Sequence, residues 1–214
     1  MAVPDETRER ILDAAEALFA DHGFADTSLR AITGRAGVNL AAVNYHFGSK
    51  EALIQEVFVR RLGPLNREQL RRLARLEEAG CPALEQVLEA FIAPAMELYL
   101  DAHQGGARFI RLLGRTYVAS SLALRDFIHH QYSDVLERFL ALLRRVLPQL
   151  PEQELCWRMH FLLGAVSYTL GGTDIMKITA GCDLCDPADN REVLERLIPF
   201  LAAGFRAVPA AAVT

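Results

Sequence analysis

Residues 39–50 read NLAAVNYHFGSK and gather two carboxamides, a phenol, an imidazole and an ammonium onto one short stretch. A carboxamide presents an N–H donor beside a carbonyl acceptor and so matches the edge of adenine. The side chains of Leu40, Ala41 and Ala42 match the methyl group of thymine. Tyr45, His46 and Lys50 carry groups suited to phosphate oxygens, which position a protein on a polyanion without reading its sequence. The chemistry of this stretch is therefore recognition. The chain contains no Ser/His/Asp arrangement, phosphate-binding glycine loop or HExxH motif, so nothing points to catalysis and no cofactor is expected.

Two other clusters invite chemistry. Cys182-Asp-Leu-Cys185 is a single CxxC, which supplies two of the four ligands that a zinc ion takes. No alternating strand-helix pattern surrounds it, so a thioredoxin-like redox role lacks its usual setting. The expectation is two reduced thiols and no metal, with a thiol or metal sensor kept as an alternative. Arg108, Arg111 and Arg115 recur within one helical segment, where they could meet a carboxylate or phosphate or simply face solvent.

Helical periodicity places the recognition stretch. Ile11, Leu12, Ala15, Leu18 and Phe19 form an apolar stripe that Asp5 or Thr7 could cap and Gly23 could end. Thr27 or Ser28 starts a second helix with Leu29, Ile32 and Ala36 on its inner face, and either hydroxyl could reach a phosphate. Gly37 suits a tight turn of positive φ. Asn39 caps a third helix reaching about His46, with Leu40, Ala41, Ala42 and Asn44 as candidates to face bases. Ser49 caps a fourth, which is expected to end near Gly63-Pro64. Two short helices set at an angle by a turn form a helix-turn-helix, whose second helix lies in the DNA major groove.

Beyond it the sequence predicts helices over 67–78, from Pro82 to about Leu100 with a kink at Pro94, over 107–119, 122–147, 152–179 and 191–206. The fold class is all-α. The expected domains are a DNA-binding head over 1–60, a ligand-binding and dimerisation domain over 61–206, and a disordered tail over 207–214.

The net charge of −4 argues against a simple nucleic-acid binder. Residues 1–60 carry nine acids, Asp5, Glu6, Glu9, Asp13, Glu16, Asp21, Asp26, Glu51 and Glu56, against Arg8, Arg10, Arg30, Arg35, Lys50 and Arg60. Placement must replace bulk charge. The start of the chain lacks a signal-peptide pattern, and no apolar run approaches the ~20 residues of a membrane span, so a cytoplasmic, membrane-free protein is expected.

The wording of TSLRAITGRAGVNLAAVNYHFGSKEALI closely resembles the N-terminal signature of the TetR family of bacterial regulators. The resemblance covers about residues 7–60. It implies an all-α homodimer with two DNA-reading heads and a C-terminal domain that takes a small ligand. It also implies that Thr27, Tyr45, His46 and Lys50 contact phosphate and that residues 39–44 read bases. Many family members have an apolar residue before the Tyr; here it is Asn44. RLLG at 111–114, WRMHFLLGA at 157–165 and PFLAAGFRA at 199–207 further resemble the PsrA-type subgroup, associated with long-chain fatty acids.

For such a ligand the candidate lining residues are Phe91, Met96, Phe109, Leu112, Leu113, Tyr117, Phe127, Phe161, Leu162 and Tyr168, with Arg111 and Arg115 for its charged end; the same spacing also describes plain core. Small residues in the last two long helices, among them Gly164, Ala165, Ala202, Ala203 and Gly204, suit a two-fold dimer or close packing within the chain. The sequence therefore predicts a repressor that a small apolar effector releases from a palindromic operator. The alternative outside DNA binding is a helical carrier for acyl ligands.

Overall fold

The structure is a computed structural model that describes residues 4–100, 106, 109, 112, 122–170 and 189–209. Its described residues form eight α-helices and no strand: α1 (Pro4–His22), α2 (Leu29–Ala36), α3 (Leu40–Phe47), α4 (Lys50–Glu78), α5 (Leu84–Leu100), α6 (Leu122–Val146), α7 (Glu152–Leu170) and α8 (Asn190–Arg206). The all-helical expectation holds. The segments expected as helix over 107–119 and 171–179 lie largely or wholly outside the described residues, as do Leu113, Tyr117, Arg111, Arg115, Cys182 and Cys185.

Local chemistry sets the boundaries. Gly23, at φ 86°, ends α1 and donates its N–H to the Phe19 carbonyl at 2.8 Å. Ser28 and Asn39 cap α2 and α3 by accepting the N–H of Ala31 and Ala42, at 3.1 and 2.9 Å. Ser49 accepts the N–H of Ala52 at 3.0 Å and starts α4 in the same way. Thr7 lies inside α1 rather than at its start.

The chain divides into two units, residues 1–64 with 102–132, and residues 65–101 with 133–214. Both α4 and α6 run through the division. The expected end of helix four at Gly63-Pro64 is corrected: α4 passes through Pro64 and continues to Glu78. A proline removes one helical N–H and its ring crowds the preceding residue. Here that residue is glycine, which has no Cβ to crowd, yet α5 and α8 likewise pass through Pro94 after Ala93 and Pro199 after Ile198, so the glycine is not what decides it.

In the first unit Ile11, Phe19, Ile32, Val43, Leu53, Val57 and Phe58 form the core. A run of rings connects it: Phe19 to Phe24 at 5.4 Å, Phe24 to Phe58 at 6.1 Å, and Phe58 to Phe109 at 5.7 Å. In the second unit α5, α7 and α8 pack on one another, and Phe91 of α5 stacks on Phe139 of α6 at 4.2 Å. Arg158, buried on α7, donates to the carbonyls of Phe205 and, at 2.8 Å, Ala207. It thereby takes up backbone acceptors that the end of α8 leaves open. Gln69, buried on α4, donates its amide N–H to the Phe91 carbonyl at 2.7 Å.

Candidate nucleic-acid interface

α3 is eight residues long and turns two sides in different directions. Val43 and Phe47 point inward and are buried. Leu40, Ala41, Asn44 and Tyr45 point outward and are exposed, while Ala42 and His46 are half-buried. Tyr45 is 82% exposed, and its ring meets His46 edge-on at 5.0 Å. The ring and its hydroxyl are therefore accessible to a partner, with an apolar body and a polar tip. Lys50 stands half-buried at the start of α4, just past the turn at Gly48. The structure thus brings Leu40, Ala41, Asn44 and Tyr45 onto one outward surface, with Ala42 and His46 at its margin.

The two N-terminal hydroxyls of α2 separate. Ser28 is exposed; its oxygen accepts from Ala31 and its proton remains available to an incoming acceptor. Thr27 is 2% exposed and donates inward to the carbonyls of Gly23 at 2.7 Å and Leu18 at 3.2 Å. The two hydroxyls that the sequence treats alike are therefore one outward group and one structural tie between α1 and α2.

The turn between α2 and α3 is held from both sides. Gly37, at φ 64°, donates to the Gly34 carbonyl at 3.3 Å, and Val38 donates to Thr33 at 3.0 Å, closing α2 with paired end bonds. From α1, Arg10 donates to the carbonyls of Ala36 and, at 3.1 Å, Gly37. A Cβ built on Gly37 would lie 2.8 Å from the Arg10 Nη2 atom. Gly37 therefore serves twice, by its left-handed backbone and by making room for the guanidinium. Sequence reasoning found Gly37 but missed Arg10, whose partners lie 26 and 27 residues away.

The acidity of residues 1–60 finds its explanation between α1 and α4. Glu16, with its side chain 3% exposed, accepts from Arg60 and, at 2.9 and 3.0 Å, from two nitrogens of Arg61. Arg60 also reaches Glu9 at 3.1 Å and Asp13 at 2.8 Å, and Arg8 pairs with Glu56. Burial lowers the Arg60 pKa, but its bonds to Glu16, Asp13 and Glu9 outweigh that effect and raise it overall. Glu9, Asp13, Glu16 and Glu56 are thus engaged within the unit. Arg30 and Arg35, exposed on α2, form no ion pair among the described residues.

The described candidate ligand residues divide between the two units. Phe91, Met96 and Leu162 are buried in the second unit, whereas Phe109 and Leu112 are buried in the first. Phe161 and Tyr168 are corrected as interior lining: they are 63% and 54% exposed, on the outward side of α7. Apolar spacing identifies a buried-type face but not what buries it, so the sequence could not separate a pocket wall from an unpartnered surface. A half-open cleft of about 340 Å³ in the second unit is lined by residues 81–84, Arg145, Val146, Leu147 and Arg206, and none of the candidates borders it.

No helix among the described residues is long and apolar enough to cross a membrane. Residues 11–57 match the family described as bacterial regulatory proteins, tetR family, and residues 89–204 match the tetracyclin repressor-like C-terminal domain. The HTH-type transcriptional repressor BepR of Brucella suis is 32% identical over 140 residues, which are 65% of each chain. The chain thus spans slightly less than two thirds of this curated relative. Among solved structures, SmeT, the repressor of the Stenotrophomonas maltophilia multidrug efflux pump SmeDEF, is 25% identical, with a TM-score of 0.61 and 98% of both chains covered. FadR from Bacillus subtilis, solved in complex with stearoyl-CoA, is 16% identical, with a TM-score of 0.62 over 92% of this chain and 98% of its own. The match at the head covers the helix-turn-helix, and the second match spans more than half of the chain. The chain belongs to the TetR family of bacterial regulatory proteins.

Proposed function

We propose that this protein is a homodimeric DNA-binding repressor that a small apolar effector releases from a palindromic operator. The observation that carries the reading is the outward surface of α3, where Leu40, Ala41, Asn44 and Tyr45 stand exposed on a helix pinned by Val43 and Phe47. In this reading residues 1–60 form the head, with Asn39, Leu40, Ala41, Ala42 and Asn44 at base edges. Ser28, Tyr45, His46 and Lys50 meet phosphates, and Thr27 acts from behind by holding the start of α2. The ion pairing of α1 with α4 supports it, because acids tied to arginines oppose a polyanion less than free ones.

The second unit supports the dimer. Trp157, Phe161 and Tyr168 on α7 and Phe200 on α8 are each more than half exposed. Trp157, Phe161, Gly164 and Tyr168 recur at i, i+4, i+7 and i+11, which puts them along one stripe. A Cβ built at Gly164 or Gly204 meets nothing within 4 Å, so neither glycine answers a need of its own protomer. A second copy would cover this surface and use the small residues for close approach. Two heads about 34–36 Å apart would then read half-sites one helical turn apart.

The effector assigned here is a long-chain fatty acid or acyl-CoA, as in the PsrA-type subgroup. Buried Phe91, Met96 and Leu162 give the second unit an apolar interior suited to such a chain, and the fold can house one, as FadR with stearoyl-CoA illustrates. The testing experiment is operator binding by an Asn44→Ala, Tyr45→Ala, Lys50→Ala triple variant. A loss of at least a hundredfold is expected; parental affinity would refute the site.

A further inference from the structure

Two arginines of α1 meet the helix-turn-helix, one at each end of α3. At its start Arg10 donates to the turn carbonyls of Ala36 and Gly37. At its end the Arg8 guanidinium carbon lies 5.6 Å from the centroid of the Phe47 ring, and Phe47 is the last residue of α3. The Nη2 of the same guanidinium donates to Glu56 of α4, and its Nη1 donates to Glu9 at 3.2 Å. Arg8 thereby joins α1, α3 and α4 at one point, with a cation on a ring and a carboxylate that holds it there. An eight-residue helix is about 12 Å long and too short to be stable by itself in water, so its neighbours set its pose. Buried Val43 and Phe47 anchor α3, but apolar burial has no direction. Arg8 adds a directed contact at the end of α3 that Arg10 does not hold.

We propose that Arg8 is a positioning residue for base reading. Through Phe47 it holds α3 at the angle that brings Asn44 and its neighbours to base edges. It thereby sets the preference for one DNA sequence over others, rather than the grip on DNA as such. The proposal rests on the reading of α3 as the recognition helix, and it adds a residue that need not touch DNA. Base contacts demand a placement within about 0.5 Å. A phosphate contact made by a long side chain such as Lys50 follows a small tilt of the helix. Phosphates supply most of the affinity for any duplex, and base edges supply the difference between duplexes.

The test uses the full chain at one temperature well below unfolding. Two affinities are measured for each variant: for the palindrome that the parent selects from random duplex DNA, and for a scrambled duplex of equal length. In Arg8→Met the palindrome should bind about tenfold more weakly, the scale of one lost base contact. The scrambled duplex should stay within about twofold of the parent, with its salt slope unchanged. Arg8→Lys, which keeps a cation at this place, should recover most of the preference. An equal loss on both duplexes, with a slope lower by about one, would make Arg8 a phosphate contact and overturn the proposal. A lower unfolding temperature with the parental preference would make it a structural tie alone and overturn it too. Phe47→Leu removes the ring beside Arg8 and keeps an apolar anchor, so it should lower the preference as well. Combined with Arg8→Met it should add little, and full additivity would deny that Arg8 acts through Phe47. Should Arg8→Met fail to fold, Phe47→Leu alone decides, and a parental preference in it overturns the proposal. If the parent selects no palindrome, the reading of α3 fails and the proposal falls with it.

Discussion

The outward side of α3 and the outward side of α7 both leave large rings in solvent, but their company differs. On α3, Tyr45 stands beside Asn44 and His46, and its hydroxyl can stay wet against a polar partner. On α7, Trp157 stacks on Phe161 at 5.9 Å, and Tyr168 extends the same stripe. The first surface suits a hydrated polyanion that arrives and leaves with the salt concentration. The second suits a partner that removes water for good, since apolar burial of this kind typifies homodimer interfaces. In the proposed reading, one chain separates a reversible contact from a permanent one. It does so through local composition, with its acids held between α1 and α4.

That separation can be broken in several places. Glu16→Gln should give the largest effect, because it leaves Arg60 and Arg61 facing a neutral group in a nearly buried site. A loss of about 3–5 kcal/mol is expected from denaturant unfolding; a loss below 1 kcal/mol would show that the α1–α4 cluster is incidental. Phe161→Glu combined with Phe200→Glu should yield monomers by sedimentation and weaken operator binding by about a hundredfold, or about 3 kcal/mol. Unchanged mass would move the dimer elsewhere.

Lys50→Ala should weaken binding by about tenfold on every DNA sequence and reduce the salt slope by about one. An unaltered slope would remove Lys50 from the phosphate contacts. Gly37→Ala should destabilise the fold by about 1–2 kcal/mol in thermal unfolding, through its left-handed backbone and the crowded Arg10. The same change paired with Arg10→Ala should be less damaging than the sum of the two, and strict additivity would deny the contact.

The smallest effect concerns acid. The Arg206 guanidinium, bonded to Glu85, is the main cause that holds the Glu85 carboxyl at about 2, below its ordinary 4.5. Because the folded value is the lower one, the pairing contributes above pH 4.5 and is lost as pH falls towards 2. Glu85→Gln should flatten that part of the stability profile slightly, as expected for an exposed pair; an unchanged profile would show that the pair adds nothing.

What was legible in the sequence follows the distance over which each feature acts. The caps at Ser28, Asn39 and Ser49 bond to the residue three places on, so composition reveals them. The inner face of α3, Val43 and Phe47, follows from helical spacing. The pairing of Glu16 with Arg60 and Arg61 spans 44 and 45 residues, and no local rule announces it. Pro64 misled because a proline is normally a stop, whereas α4, α5 and α8 each run through one. Phe161 and Tyr168 misled because an apolar stripe looks the same whether a ligand or another surface covers it. Gln69 was invisible for a related reason: only packing shows that one end of its amide is spoken for and the other is not.

Selection of binding sites from random duplex DNA tests the central claim most directly. The parent protein should enrich a palindrome with half-sites about one helical turn apart, and the Asn44→Ala, Tyr45→Ala, Lys50→Ala variant should enrich none. Enrichment of the same palindrome by the variant, or of no palindrome by the parent, would contradict the account.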